Sequence, residues 1–320
     1  MKNTIIVMGA NPAWQKTLRF SGLRKNGVFR AERMNAYPGG KGVNFCRAAS
    51  CFGEAETVLF QFAGGLNGKR LCGALDAEGI RHETIKTRAE TRCCITCLDS
   101  TDGSMTELIE PSGKIEPDEA EEFLDRLKAK FGNASLFAIA GSLPDGTDTA
   151  LYEKAAGIAT AAGVPVLADA VKGIVPVLNL PGRIILKVNR EEFLRLTECD
   201  RLSRALEYAS KRWRNAGFAI TDGPGNAVFT DRGRSGSLSL PGMERIISPL
   251  GAGDTAAAVL ASRIAKGADL PEAFRTALAA ASASCLSERA GEFRPEDCNA
   301  LLSQIHIHEI PGNRIKKEQP

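Results

Sequence analysis

The chain is short of histidine, with three in 320 residues, and short of aromatics at 6%. So few imidazoles leave little from which to build a histidine-based metal centre. Nine cysteines do not fill the gap. Cys93, Cys94 and Cys97 cluster in TRCCITC, but no second pair of ligands stands at a matching spacing. The run reads better as a buried strand in which Cys93, Ile95 and Cys97 share one face. An odd cysteine count without an export signal points to reduced thiols rather than a disulfide framework. Met1 to Met8 turns polar by Asn11 and lacks the regions of a secretory leader, so a cytoplasmic location is expected. No stretch nears the ~18 uninterrupted apolar residues of a membrane-spanning helix. An excess of one charge is missing too. Forty-one basic and 38 acidic residues are interleaved to a net +3. That balance excludes a nucleic-acid stripe and a polybasic membrane patch as expectations.

What is present is ordinary globular material, 43% hydrophobic and 25% charged. The length suits two domains or one large α/β domain with insertions. Strand and helix signals alternate almost throughout. Ile5 to Met8 reads as a strand closed by Gly9, and Asn44 to Cys51 as a helix after a glycine-rich turn. Glu119 to Phe131 carries Ala120, Phe123, Leu124, Leu127 and Phe131 at helical spacing, with Pro117 in its first turn and Gly132 as its stop. Strands are expected at 136–140, 164–168, 183–188 and 218–221, and helices at 149–162 and 201–213. This alternation predicts a mostly parallel sheet covered by helices on both faces. Thr17 to Tyr37 and Glu90 to Glu110 break the rhythm and read as antiparallel strands forming a small second sheet. That sheet would cover a site, form a dimer interface, or do both. The tail 311–320 is polar and expected to be flexible.

Two glycine-rich elements carry the chemistry. Gly251-Ala252-Gly253-Asp254 stands directly before an alanine-rich helix that runs to about Lys266, where Gly267 ends it. Converging N–H groups at such a helix start make an anion site. Such a site can hold the charge that builds on a phosphoryl group in transfer. A carboxylate at its mouth would repel phosphate, so Asp254 is either a general base for an attacking hydroxyl or merely a helix N-cap. The second element is Pro38-Gly39-Gly40-Lys41-Gly42-Val43-Asn44, which allows close backbone approach by a ligand and places a charge and an amide within it. It is not a Walker A loop, because Gly42 follows Lys41 where Ser or Thr is needed. No G-x-G-x-x-G fingerprint supports a dinucleotide site.

In this combination the sequence resembles the PfkB, or ribokinase-like, family of carbohydrate kinases. GGKGVN and GAGDT resemble the family's two signatures. Ala10-Asn11-Pro12-Ala13, Thr91-Arg92, Thr106 to Gly113, Ala140-Gly141-Ser142-Leu143-Pro144-Asp145-Gly146 and Lys187-Val188-Asn189-Arg190-Glu191-Glu192 resemble further family segments in the same order. The pieces look closest to the 1-phosphofructokinase and tagatose-6-phosphate kinase branch. The resemblance implies a three-layer α/β/α ribokinase-like fold over residues 1–310. Its central sheet would be mostly parallel, with a β-sheet lid built from about 12–37 and 90–111. It implies ATP as phosphoryl donor, with Mg²⁺, and a phosphorylated ketohexose as acceptor, giving a sugar bisphosphate and ADP.

It also implies the roles of single residues. Asp254 takes the place of the base, and Gly251, Ala252 and Gly253 that of the anion hole. Gln15, Gly39, Gly40, Lys41, Asn44, Arg92 and Ser142 would bind the sugar, with Arg92 reaching from the lid to the substrate's own phosphate. Lys187, Asn189, Glu192, Thr221, Gly223 and Gly225 would serve the nucleotide, and Glu192 would organise Mg²⁺ through water. The only partner implied is the sugar phosphate, apart from a homodimer through the lid.

The chain departs from the branch at Gln15, where Asp is usual. Glutamine keeps an acceptor oxygen, loses the charge and adds a donor. Asn226 replaces a Gly, Cys94 stands near a usual Asn, and Val188 replaces a Pro. The alternatives are a kinase of the same kind for an unphosphorylated sugar or nucleoside, and a non-catalytic sugar-phosphate-binding protein.

Overall fold

A computed structural model describes residues 3–243 and 245–310. The strands in chain order are β1 (Asn3–Met8), β2 (Ala13–Phe20), β3 (Arg33–Gly39), β4 (Ala55–Gly64), β5 (His82–Thr87), β6 (Cys93–Asp99) and β7 (Met105–Ile109). They continue with β8 (Ala134–Ala140), β9 (Val166–Asp169), β10 (Ile184–Asn189), β11 (Ala216–Thr221), β12 (Asn226–Asp231), β13 (Arg234–Ser239) and β14 (His306–Ile310). Ten of them form one sheet in the order β14-β13-β12-β11-β10-β9-β8-β1-β4-β5. From β5 to β11 every neighbouring pair is parallel, while β12, β13 and β14 close one edge antiparallel.

The strand sequences explain the layering. Ile5 and Val7 of β1 join one apolar cluster, while Ile6 and Met8 join another. Successive strand residues point to opposite faces, so a continuous apolar run needs cover on both sides. One cluster takes Val43, Ala256 to Ala261 and Leu270 to Ala283 from helices, and the other takes Phe123, Leu151, Phe193 and Ala205. The result is the expected three-layer α/β/α arrangement. Alanines in the Ala252–Ala265 helix are at most 1% exposed from Ala256 to Ala258, which lets that helix lie close to its neighbours.

The boundaries shift in places for physical reasons. The helix expected at 119–131 starts at Pro117 and ends at Lys128; Phe131 instead opens a short 3-10 turn. Glu116 and Glu119 form a reciprocal capping box that fixes its start. The Ala252–Ala265 helix ends as expected, with Gly267 at φ 88° behind it. The second sheet has the order β3-β2-β6-β7. Its hairpins are antiparallel, but β2 and β6, which join the two segments, run parallel. Each segment is thus an antiparallel hairpin, as expected, and the parallel β2–β6 pair joins the two into one sheet. Each segment enters the lid from the carboxyl end of a main-sheet strand, β1 before Asn11 and β5 before Arg92, and Arg92 Nη2 donates to the Asn11 carbonyl where the two meet. The tail 311–320 lies outside the described residues.

The chain turns from β1 to β4 on one side and later adds β8 on the other. The switch in direction leaves a crevice beyond the carboxyl ends of the parallel strands, the usual place for a ligand in such sheets. Asn11 follows β1, Gly141 follows β8, Asp169 ends β9, Asn189 ends β10 and Thr221 ends β11. The lid sheet overhangs the same crevice.

Candidate active site

A cavity of about 620 Å³ opens there. The lid supplies Gln15, Tyr37, Cys94, Glu107 and Ile109; the sheet supplies Asp169, Lys187, Asn189 and Thr221; Gly251, Gly253 and Asp254 form its floor. A neighbouring cavity of about 510 Å³ holds Ser142 and shares Lys41, Arg92, Asp169 and Glu192 with the first.

The floor follows from local sequence. Gly251 is the N-cap of the Ala252–Ala265 helix and takes φ 80°. A Cβ there would also stand 2.7 Å from the Ala290 Cβ, so only glycine fits without movement. Asp254 is the third residue inside the helix, and its carboxylate makes no cap bond. The N-cap alternative is thereby removed. Instead Oδ2 accepts from Asn44 Nδ2 at 2.8 Å. Burial is the main cause that lifts the Asp254 carboxyl from 3.8 to about 6; the Lys41 ammonium opposes it and Asp169 adds to it. A carboxyl poised there can accept a proton near neutral pH.

Among the described residues no protein acceptor takes the N–H of Gly251 or Gly253. The Ala252 N–H donates to the Pro249 carbonyl at 3.2 Å, and Ala252 does not line the cavity. Of the three residues expected to form an anion hole, Gly251 and Gly253 are the two that line the cavity with N–H groups not taken by a protein acceptor among the described residues. Lys187, 4% exposed, comes from β10 to stand beside Gly253; a Cβ on that glycine would lie 3.2 Å from its Nζ.

Asp169, which sequence reasoning missed, organises the cations. Its two carboxylate oxygens lie 3.4 Å from Lys41 Nζ and 3.4 Å from Lys187 Nζ. Asp169 is also the largest cause that holds the Lys41 ammonium above its ordinary value, so Lys41 stays charged. The only hint in the sequence was an acid at the end of the apolar run Val166-Leu167-Ala168.

Of the residues expected to bind the sugar, Gln15, Gly39, Gly40, Lys41, Asn44 and Arg92 line the larger cavity, and Ser142 lines the neighbouring one. Gln15 is 8% exposed, and its Nε2 donates to Thr96 Oγ1 at 2.9 Å on the neighbouring lid strand. Gly39 faces it closely, since a Cβ there would meet the Gln15 Cβ at 2.7 Å. Gly40 caps the Lys41–Phe52 helix at φ 101°. Arg92 Nη2 donates to the Asn11 carbonyl at 3.0 Å, which holds the guanidinium at the hinge between the two cavities. Ser142 is exposed and accepts from Asn11 Nδ2 at 3.3 Å.

Of the residues expected to serve the nucleotide, Asn189 and Glu192 form a capping box. Asn189 Oδ1 accepts from the Glu192 N–H at 2.8 Å, and Glu192 Oε2 accepts from the Asn189 N–H at 2.9 Å. Oε1 of Glu192 has no donor among the described residues, and the side chain lines both cavities. Thr221 lines the larger cavity, whereas Gly223 and Gly225 lie beyond it in the turn before β12. No group of three or more His, Cys, Asp or Glu among the described residues could hold a metal ion. The free Oε1 of Glu192 is the kind of single carboxylate donor that Mg²⁺ can share with waters and phosphate oxygens.

The model of the pfkB family of carbohydrate kinases matches residues 3–297. The chain belongs to that family. This pfkB kinase is 24% identical over 323 residues to the tagatose-6-phosphate kinase of Staphylococcus epidermidis, covering 96% of this chain and 100% of that protein. It is 25% identical over 319 residues to the 1-phosphofructokinase of Borreliella burgdorferi, covering 96% and 99%. The tetrameric inhibited form of phosphofructokinase-2 from Escherichia coli superposes with a TM-score of 0.85 at 21% identity, over 95% and 99% of the two chains. Kinases of this family take ATP as phosphoryl donor, which fits the two cavity-lining glycine amides of the floor and the ammonium groups of Lys41 and Lys187 beside it.

Proposed function

We propose that this kinase transfers the γ-phosphoryl group of ATP to a hydroxyl of a phosphorylated ketohexose, of the type used by its tagatose-6-phosphate kinase and 1-phosphofructokinase relatives. The products are a sugar bisphosphate and ADP. One observation carries the reading. Asp254, 7% exposed, lines the cavity beside the unpaired Gly251 and Gly253 amides, with one carboxylate oxygen held by Asn44.

In this reading Asp254 accepts the hydroxyl proton as the oxygen attacks. Gly251, Gly253 and Lys187 receive the migrating phosphoryl charge. Lys41, fixed by Asp169, faces both partners. Arg92 binds the phosphate already on the sugar, and Gln15, Gly39, Gly40 and Asn44 orient the ring. Ser142 bounds the adjoining cavity. Thr221, Gly223 and Gly225 flank the nucleotide, and Asn189 sets Glu192. Mg²⁺ would be held by the nucleotide's oxygens and, through water, by Glu192 Oε1, where it neutralises phosphate charge. Residues 1–310 act as one kinase domain, with 12–37 and 90–111 as its lid. The lid leaves Met34, Leu108 and Ile109 more than half exposed, which supports a homodimer through it.

A substrate panel tests the reading. ADP formation with MgATP is measured for fructose-1-phosphate, tagatose-6-phosphate, fructose-6-phosphate and unphosphorylated fructose. At least one sugar phosphate is expected to exceed fructose in kcat/KM by a hundredfold or more, the order expected when a bidentate phosphate clamp is engaged. Equal use of fructose would sink the phosphorylated-acceptor reading. Tight sugar-phosphate binding without ADP would sink catalysis.

A further inference from the structure

One buried cation has no part in the chemistry above. Arg47 is 5% exposed and lies one turn beyond Asn44 on the Lys41–Phe52 helix. Its Nη1 donates to Asn44 Oδ1 at 3.2 Å and to the Ala290 carbonyl at 2.8 Å. Nη2 donates to the Pro38 carbonyl at 2.9 Å, and Nε to Glu78 Oε2 at 2.9 Å. Glu78 also accepts from Arg289, and the Arg47 and Arg289 guanidinium carbons lie 5.8 and 5.2 Å from the centre of the Tyr37 ring.

A guanidinium has donors only, so the Asn44 atom that faces Arg47 is the oxygen. The amide nitrogen is then turned to Asp254 Oδ2, 2.8 Å away. Reversing the amide would set donor against donor at Arg47 and oxygen against oxygen at Asp254. The same guanidinium ties the start of the glycine turn, at Pro38, to the Ala290 loop against which Gly251 rests. From this geometry we infer that Arg47 is a positioning residue. It fixes the Asn44 amide so that Asp254 keeps one oxygen hydrogen-bonded and presents the other to the acceptor hydroxyl. This inference rests on the reading of Asp254 as the base.

The test is Arg47→Lys, made in the wild-type chain and in an Asn44→Ala background, with MgATP and the best sugar phosphate of the panel. Lysine keeps the charge but cannot bond Asn44, Pro38 and Ala290 in one plane. The other charges facing Asp254, namely Lys41, Asp169 and Lys187, stay in place. In the wild-type background kcat should fall about tenfold, and the acid limb of the kcat/KM profile should move up by about one pH unit, as Asp254 loses its donor. In the Asn44→Ala background the same change should alter kcat less than about twofold, since coupled residues are not additive. Equal losses in both backgrounds with an unmoved limb would make Arg47 a structural prop and overturn the inference. If Arg47→Lys does not fold, Glu78→Gln loosens the anchor from outside the cavity. It should move the limb the same way by less, and an unmoved limb would again overturn the role. A wild-type chain inactive on every acceptor overturns the base reading and this one together. An active wild type with additive variants overturns only Arg47.

Discussion

Lys187 stands directly over Gly253: a Cβ built on that glycine would come within 3.2 Å of the ammonium. The lysine lies near the end of a buried strand and the glycine in the first turn of a helix, so the sheet delivers a cation to the point where the helix presents N–H groups without a partner among the described residues. Paired with Asp169 at 3.4 Å, Lys187 is held where it is rather than swinging to water.

Gly251 is the backbone hinge of that floor, and Gly251→Ala should show it. The change forces a side chain onto φ 80° and drives it to 2.7 Å from the Ala290 Cβ. A loss of about 1–3 kcal/mol in urea unfolding is expected, with a larger fractional loss of kcat than of sugar binding. Gly223→Ala is the control, because it has φ 56° but nothing within 4 Å of the new Cβ. Equal effects at both sites would contradict the packing argument.

The pH dependence follows from Asp254. The kcat/KM profile should rise with pH and level off above about 6, the value to which burial lifts the carboxyl. The same shift acts on stability. Between 3.8 and about 6 the folded chain holds the Asp254 proton more tightly than the unfolded chain. The site therefore favours folding below the lower value, and that contribution is lost as pH rises through the upper one. At neutral pH the buried charge costs up to about 3 kcal/mol, from about two units at 1.36 kcal/mol each. Asp254→Asn should accordingly raise Tm at pH 7.5, with the gain fading by pH 4. A Tm gain independent of pH would refute the assignment.

Arg92→Ala should raise KM for the sugar phosphate about tenfold or more while changing KM for ATP less than about twofold, as expected for a charge-assisted phosphate contact. Fructose, with no phosphate, should be unaffected. Comparable damage to both acceptors would assign Arg92 to the hinge alone, through its bond to the Asn11 carbonyl.

Gln15 is the residue by which this chain departs from its branch, and its Nε2 is already bound to Thr96. Only Oε1 remains to accept a sugar hydroxyl. Gln15→Asp places a charge there and releases Thr96, so the ranking of the three sugar phosphates by kcat/KM should change by about fivefold or more, the scale of one hydrogen bond. An unchanged ranking would mean that position 15 does not read the sugar.

The layering, the Ala252–Ala265 helix and the cluster around Asp254 were legible because each is carried by short-range signals: apolar runs, a glycine at a helix end, an acid after two glycines. Asp169 was not, because an acid at the end of a buried strand looks the same whether it pairs with two lysines or faces solvent. Nor was the parallel pairing of β2 with β6, since alternation fixes which face a residue takes but not the direction of the neighbouring strand. Arg47 was hidden for a further reason. Its contact with Ala290 spans 243 positions, and no local pattern announces a bond of that range. The capping reading of Asp254 failed because the cap is a glycine, one turn earlier than a sequence rule would place it.

The most direct measurement is single-turnover ADP formation by Asp254→Asn with the best sugar phosphate, alongside binding of that sugar. Asparagine preserves shape and can still accept the Asn44 hydrogen bond, so what is lost is the charge and, with it, proton uptake. Turnover should fall by about 10²–10⁴ with binding nearly intact. A loss below about tenfold would show that the hydroxyl proton leaves by another route.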